Sequence, residues 1–242
     1  MYTLADYTRI KKTSTFVLSQ ETIDIINTIS KLVGVEVTIK PEKKQPPHNQ
    51  ITILLNKLTN ENLPEIQDKI MSVLSTEPNV DPISSIIFDI ASTNSFYSNI
   101  YASLYYTLSK KWPILNDLIQ LKFNEHITTL TNLRVVDSSN YDEFCNCNAK
   151  NDKYRSFSLF VVHLTIKGSI EYGKFSHLID QLMDLLHTVP KHVVSEVAEH
   201  LYILIVKSKP IHNLLDINRT KLNSEGLPNK VVFKLMDILD AI

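Results

Sequence analysis

Three residues with metal-binding side chains lie four positions apart near the end of the chain, at His192, Glu196 and His200. Imidazole and carboxylate groups bind zinc, and a spacing of four places all three on one stripe of a helix. This stripe lies to one side of the apolar face that contains Val197 and Leu201. We therefore expect a solvated polar face, and a helical enzyme that holds a metal on this stripe is the alternative.

The two cysteines, Cys145 and Cys147, are one residue apart and could form half of a zinc site. No second pair of ligands lies nearby, and His126 and His163 are not at zinc-finger spacing. A bridge between the two thiols would be strained, so we expect free cysteines in a loop and a reducing compartment.

Catalytic motifs are absent from the sequence: there is no HExxH, no GxSxG and no phosphate-binding loop. We expect neither enzymatic activity nor a cofactor or metal. The net charge of −1 argues against a bulk electrostatic grip on nucleic acid, so RNA would need local basic patches. The candidates for RNA contact are Lys43, Lys44, Lys110, Lys111, Lys153 and Arg155.

Apolar residues recur at helical spacing along most of the chain, and only four glycines occur, which favours an all-α protein. Residues 1–47 are predicted to form an N-terminal arm, a helix from Ser19 to a stop at Gly34, a short extended piece at 35–39 and a proline-rich linker. Residues 48–242 are predicted to form a helical repeat domain, with a mobile loop at 137–152 and later helices at about 153–167, 172–188, 191–207, 210–222 and 228–241. Short turns between about ten helices predict an α-solenoid of about five stacked antiparallel pairs, and a compact α-bundle is the alternative.

The segment Leu54-Leu55-Asn56-Lys57-Leu58-Thr59, followed by a second amphipathic helix, resembles the middle domain of eukaryotic translation initiation factor 4-gamma. Three further stretches are similar to that family in pattern and order: 96–104, 154–168 and the last helix, 230–242. The arginine-rich start of the family's helix after the variable loop is reduced here to Lys153 and Arg155. The likeness covers about 48–242, and only the LNKLT string is specific.

This resemblance implies a HEAT-type scaffold that clamps a DEAD-box RNA helicase, initiation factor 4A, promotes its active conformation and binds RNA. Helicase contacts are expected at helix ends and turns, whereas Asn56, Lys57 and Thr59 are expected to fix a turn. The candidates for helicase contact are Asn60, Glu61, Asn94, Ser95, Lys207, Lys209, Lys221 and Asn223. The alternatives are a related adaptor in mRNA decay, export or translational repression, and a decoy that sequesters the helicase.

The cap-binding protein is a further candidate partner, because Tyr154-x4-Leu159-Phe160 matches the motif by which such scaffolds bind it. The same residues continue into an apolar helix, and burial in the core is the stronger interpretation. No signal peptide opens the chain, and the apolar runs are too short to span a bilayer. We therefore expect a cytoplasmic protein without a membrane partner.

Overall fold

A computed structural model describes residues 19–34, 46–136 and 139–242 of the chain. The chain divides into two compact units, Met1–Pro46 and Pro47–Ile242. The predicted arm at 1–18, the extended piece at 35–39 and the linker up to residue 45 lie outside the described residues.

All regular structure in the described ranges is helical, with no strand among them, which confirms the all-α prediction. None of these helices is both long enough and apolar enough to cross a membrane. The α-helices are α1 (Gln20–Val33), α2 (Pro47–Asn56), α3 (Leu63–Thr76), α4 (Asp81–Thr93), α5 (Ser98–Lys111), α6 (Pro113–Thr131), α7 (Tyr141–Lys167), α8 (Tyr172–Leu185), α9 (Lys191–Val206) and α10 (Asn229–Ala241).

Helix α1, in the first unit, begins and ends at the residues that the sequence indicates. The Ser19 side chain accepts a hydrogen bond from the Thr22 backbone N–H at 3.3 Å, which satisfies one of the free donors of the first turn. At the other end Gly34 has a φ of 67°, in the left-handed region where a glycine commonly terminates a helix.

In the second unit the helices α2 to α10 stack by contacts between near neighbours in sequence. Helix α2 packs on α3 and α4, α3 on α5, and α4 on α5, α6 and α7; further along, α5 packs on α6 and α7, α6 on α8, α7 on α9, α8 on α9, and α9 on α10. Most contacts join a helix to the next one or the next but one, and α4 also reaches α7; this is the pattern of stacked helix pairs, as in an α-solenoid. The predicted architecture is confirmed for this unit.

The segment that carries the family resemblance forms the end of α2 and the turn after it. Leu55 and Leu58 are buried, so the apolar residues of the string face the core. The Asn62 side chain closes the turn: its Oδ1 accepts from the Thr59 backbone N–H at 2.7 Å, and its Nδ2 donates to the Lys57 carbonyl at 2.8 Å. Thr59 and the backbone of Lys57 therefore fix this turn, as the sequence predicts.

The predicted mobile loop at 137–152 is wrong over most of its length. Helix α7 begins at Tyr141 and continues without interruption to Lys167, and the Asn140 side chain caps it by accepting from the Glu143 backbone N–H. The residues from 141 to 152 are polar but include no glycine or proline, so their composition permits a helix with an exposed face. Both cysteines lie on this helix.

The predicted helix at 210–222 is also wrong. The chain there forms two short 3-10 helices, Lys209–Leu214 and Arg219–Lys221, joined by an irregular stretch. Asn218 accepts a hydrogen bond on its side chain from the Thr220 backbone N–H at 3.1 Å, a local contact that competes with continuous helix.

Replacing Leu55 by alanine should lower the free energy of unfolding by about 2–5 kcal/mol, because the loss of this fully buried side chain would leave a cavity where α2 packs on α3 and α4. Ile53→Ala on the same helix is the matched control; its side chain is 41% exposed, and we expect a loss of about 1 kcal/mol or less. Urea denaturation followed by circular dichroism measures both. Equal losses in the two variants would contradict the described burial of α2.

Candidate functional site

Two turns of the stack lie at the same end of the second unit. The Tyr101 hydroxyl, in the first turn of α5, donates to the carbonyl of Leu55, near the end of α2, at 3.0 Å. This buried bond brings the turn after α2 beside the turn before α5. The structure therefore places four of the helicase candidates at one end: Asn60, Glu61, Asn94 and Ser95.

An exposed aromatic pair completes this end of the stack. The Phe96 side chain is 85% exposed, and its ring meets the Tyr97 ring edge-on with 4.7 Å between centroids. The Asn94 side chain accepts from the Tyr97 backbone N–H at 3.1 Å and so fixes the turn. We call residues Asn60, Glu61, Asn94, Ser95, Phe96 and Tyr97 the turn surface. In the sequence, Phe96 and Tyr97 stand out only as part of the stretch 96–104 that is similar to the family, and their exposure is not predicted.

Three further helicase candidates follow α9, towards the other end of the stack. Lys207, Lys209 and Asn223 follow α9 and are exposed. The connection after α9 lies beside the start of α8, because the Asp216 backbone N–H donates to the Ser176 hydroxyl at 3.2 Å. Lys221 lies further along α8, beside Asp180 and Asp184, so the eight candidates do not form one surface.

Lys221, the last of the candidates, is held by two carboxylates of α8. Its Nζ lies 2.7 Å from Asp180 and 2.8 Å from Asp184. Hydrogen bonds to these two carboxylates raise the pKa of Lys221. The side chain joins the segment after α9 to α8, and any contact with a partner would have to compete with these ion pairs.

The cations proposed for RNA contact lie on different elements. Lys43 and Lys44 are outside the described residues. Lys110 lies over the Tyr106 ring, with 4.1 Å from Nζ to the centroid, and Lys111 lies 4.8 Å over Trp112. Lys153 and Arg155 belong to α7. The described members therefore do not converge into one basic patch.

Arg155 forms a bidentate pair with Glu196 that joins α7 to α9. Its Nε donates to Oε1 at 2.7 Å and its Nη2 to Oε2 at 2.5 Å, while Nη1 donates to Asp152 at 2.6 Å. Burial disfavours the ionised Glu196 carboxylate, but His200 and Arg155 outweigh it and lower the pKa of Glu196 to about 2. The solvated polar face expected for His192, Glu196 and His200 is wrong for two of the three residues. Helix α7 covers Glu196 and His200, whereas His192 is exposed.

The Ser158 hydroxyl links two buried imidazoles. Its Oγ lies 2.9 Å from His126 Nε2 and 2.8 Å from His200 Nδ1, so it donates to one ring and accepts from the other. His200 Nε2 lies 3.5 Å from the Glu196 carboxylate, which favours a proton on that nitrogen. The serine hydroxyl then donates to His200 and accepts from His126.

This arrangement leaves the His126 Nδ1 buried without a hydrogen-bond partner, and the His200 Nε2 has only its 3.5 Å contact with the Glu196 carboxylate. Burial, and to a lesser degree the nearby His200, lowers the pKa of His126 to about 3. Ser158 and His200 are completely buried. Ser158, His200 and Glu196 follow one another as in a catalytic triad, but the buried Ser158 hydroxyl cannot reach a substrate as a nucleophile. The network holds α6, α7 and α9 together.

The alternative of a metal site on the α9 stripe finds no support in the geometry. Among residues 19–34, 46–136 and 139–242, no three histidine, cysteine, aspartate or glutamate side chains are grouped so that they could hold a metal ion. Both Glu196 oxygens face Arg155 instead. The other sequence motif, Tyr154-x4-Leu159-Phe160, ends on a ring that is fully buried against Phe88 and Tyr105.

The buried network predicts that acid destabilises the protein. Between pH 6.5 and about 3 the unfolded chain protonates His126 while the folded chain does not, so the unfolded state binds more protons and stability falls as the pH falls. Glu196 adds a loss between pH 4.5 and about 2, where protonation removes its pairing with Arg155. Each group contributes at most about 1.4 kcal/mol per pH unit.

Urea denaturation between pH 7 and pH 4 measures this dependence. We expect His126→Gln to flatten the pH profile above pH 4.5, whereas the same exchange at the exposed His187 serves as the matched control. A profile that is equally steep in wild type and His126→Gln would show that His126 is not responsible.

A solved protein structure is similar to this chain in fold. The MIF4G domain of Trypanosoma cruzi translation initiation factor EIF4G5 is 14% identical to this chain, with 81% of this chain and 94% of that chain covered and a TM-score of 0.49. No protein-family model matches the chain, and no curated protein matches it. The partners and activity of this chain must therefore be inferred from its own residues.

Proposed function

We propose that residues 47–242 form a non-catalytic scaffold of translation initiation. The domain binds a DEAD-box RNA helicase, initiation factor 4A, through the turn surface, and it also binds RNA. By preferring the active conformation of the helicase it raises the helicase's activity. A scaffold of this kind can shift its partner only by as much as its affinities for the two conformations differ.

The observation that carries this proposal is the exposed aromatic pair on the turn surface. Moving a large apolar side chain such as Phe96 out of water into an interface lowers the free energy. Aromatic residues supply much of the binding energy at protein interfaces. The polar residues around it, Asn60, Glu61, Asn94 and Ser95, can form the hydrogen-bonding rim of such an interface.

The family resemblance supports the same surface. The residues of the LNKLT string are used for the core and for closing the turn with Asn62, and it is this closed turn that presents Asn60 and Glu61. The residues that resemble the family therefore form the closed turn on which part of the turn surface lies.

A second contact at the opposite end would suit a partner with two lobes. Helices α3 and α5 each have 14 residues, so the two ends of the stack are separated by about 20 Å at 1.5 Å per residue. Lys207, Lys209 and Asn223 at the far end could then contact one lobe while the turn surface holds the other. Both lobes would be kept in one relative orientation.

The defining experiment is the ATPase rate of purified initiation factor 4A with RNA, measured with and without this protein and accompanied by a pull-down. Binding with a raised rate is the expected result. Binding with a lowered rate would replace the scaffold by a decoy that sequesters the helicase. No binding would overturn the proposal and favour a related adaptor in mRNA decay, export or repression.

Replacing Phe96 by alanine should weaken helicase binding by about tenfold or more, as expected for an aromatic anchor at an interface. Phe233→Ala on α10 is the matched control, because that ring is also exposed, at 66%, but lies away from the turn surface. Both variants should keep the wild-type circular dichroism spectrum. If Phe96→Ala binds as tightly as Phe233→Ala, the turn surface is not the helicase contact.

A further inference from the structure

A cleft with both polar and apolar lining lies between the end of α6 and the first half of α7. Its volume is about 450 Å³, within the roughly 300–1,000 Å³ usual for sites that hold small ligands. Side chains that can donate or accept hydrogen bonds make up much of its lining, including Asn132, Arg134, Asn146, Lys150, Asn151 and Tyr154. We call this the α6–α7 cleft. Such a lining suits a ligand that has both polar groups and an apolar or aromatic face.

Hydrogen bonds across the cleft hold its two walls together. The buried side chain of Asn151 donates from Nδ2 to the Arg134 carbonyl at 3.2 Å. The Cys147 thiol donates to the same carbonyl at 3.2 Å. The segment after α6 is thus hydrogen-bonded to α7, so the site is already formed before a ligand binds.

The cleft is lined by two cations and by one carboxylate, Glu143, which accepts a hydrogen bond from Asn140 Nδ2 at 3.1 Å. Among the described residues, neither Arg134 nor Lys150 forms an ion pair, in contrast to Arg155, which is held by Glu196 and Asp152. Lys153, exposed and three positions after Lys150, is also unpaired in the described part of the chain. Unpaired guanidinium and ammonium groups are the usual ligands of phosphate.

The remaining lining has the chemistry that recognises a nucleobase. The half-buried Tyr154 offers an aromatic ring, and the Asn146 amide can both donate and accept hydrogen bonds. The Asn132 Nδ2 already donates to the Thr128 carbonyl at 2.8 Å, so Asn132 offers its Oδ1 as an acceptor. Sequence-specific binding of single-stranded RNA uses this combination: bases stack on aromatic rings and their edges bond to polar side chains.

We propose that the α6–α7 cleft binds one nucleotide of a single-stranded RNA. The base stacks on Tyr154 and meets the asparagine amides, and the phosphate lies at Arg134 and Lys150, with Lys153 beside the neighbouring phosphate. The inference rests on the RNA-binding part of the proposed function and locates it. A free mononucleotide has the same chemistry, and the experiment distinguishes the two sources.

The test is fluorescence anisotropy of a labelled single-stranded RNA of about ten nucleotides, titrated with the full chain at several salt concentrations. Lys150→Ala should weaken binding and reduce the magnitude of the slope of log K against log salt by about 0.7, the value for one phosphate contact on a single strand. Tyr154→Ala should weaken binding about tenfold through lost stacking and leave the salt slope unchanged. Tyr154→Phe keeps the ring and should bind nearly as wild type.

Lys230→Ala, an exposed lysine at the start of α10, is the matched control for lost charge and should keep the wild-type affinity and slope. Adenosine and uridine monophosphates serve as competitors. Weak competition supports a site for a strand, whereas displacement of the RNA at equal concentrations would assign the cleft to free nucleotides and overturn the RNA proposal. Equal RNA binding by wild type, Lys150→Ala and Tyr154→Ala would also overturn it.

A helicase pull-down with the same variants separates this inference from the proposed function. Lys150→Ala and Tyr154→Ala should retain the helicase, because neither residue lies on the turn surface. Loss of RNA binding with retained helicase supports the cleft. If wild type binds RNA in this manner but no helicase, the scaffold proposal fails while the cleft stands; if wild type binds helicase but no RNA, the cleft alone fails.

Discussion

The second half of α7 is surrounded by other helices, and the stack depends on its packing there. The fully buried Phe160 ring lies 5.9 Å from Tyr105 and 6.4 Å from Phe88 between centroids, both edge to face. Burial on so many sides requires that polar groups find partners inside the protein. Tyr105 accordingly donates to the Leu115 carbonyl at 2.8 Å, and Thr165 donates to the carbonyl of Val161 at 2.8 Å. The packing thus ties α4, α5 and α6 to α7.

The residues of α7 that precede this packed part face two different environments. Arg155 and Ser158 face α9 and α6, where they form the buried network with Glu196 and His200. Lys150 and Tyr154 line the α6–α7 cleft, on an accessible part of the helix. Because α7 is continuous, the position of the cleft is set by the same rigid element that fills the core. A binding site on a rigid helix holds its side chains in fixed positions before the ligand binds.

Much of the fold could be predicted from the sequence because helical periodicity, caps and turns are local properties. Ser19 and Gly34 mark the ends of α1, and Leu55 and Leu58 mark the buried side of α2. Prediction failed where composition suggested a loop but nothing interrupted the helix, at the start of α7. It also failed over 210–222, where local side-chain bonds such as that of Asn218 compete with the helix.

The sequence by itself determined the helices, their buried faces and the likeness to a family of scaffolds, because each depends on residues close together in the chain. Only the tertiary structure decided which side chains meet across helices. Glu196 and Arg155 are 41 positions apart in the chain. The sequence predicted a solvated stripe for Glu196 and an RNA contact for Arg155, whereas the packing of α7 on α9 joins them in one ion pair. Tyr101 and Leu55, 46 positions apart, likewise bring the turn surface together. Periodicity determines which face of a helix is apolar, but not which helix will cover it or which polar groups will be buried with it.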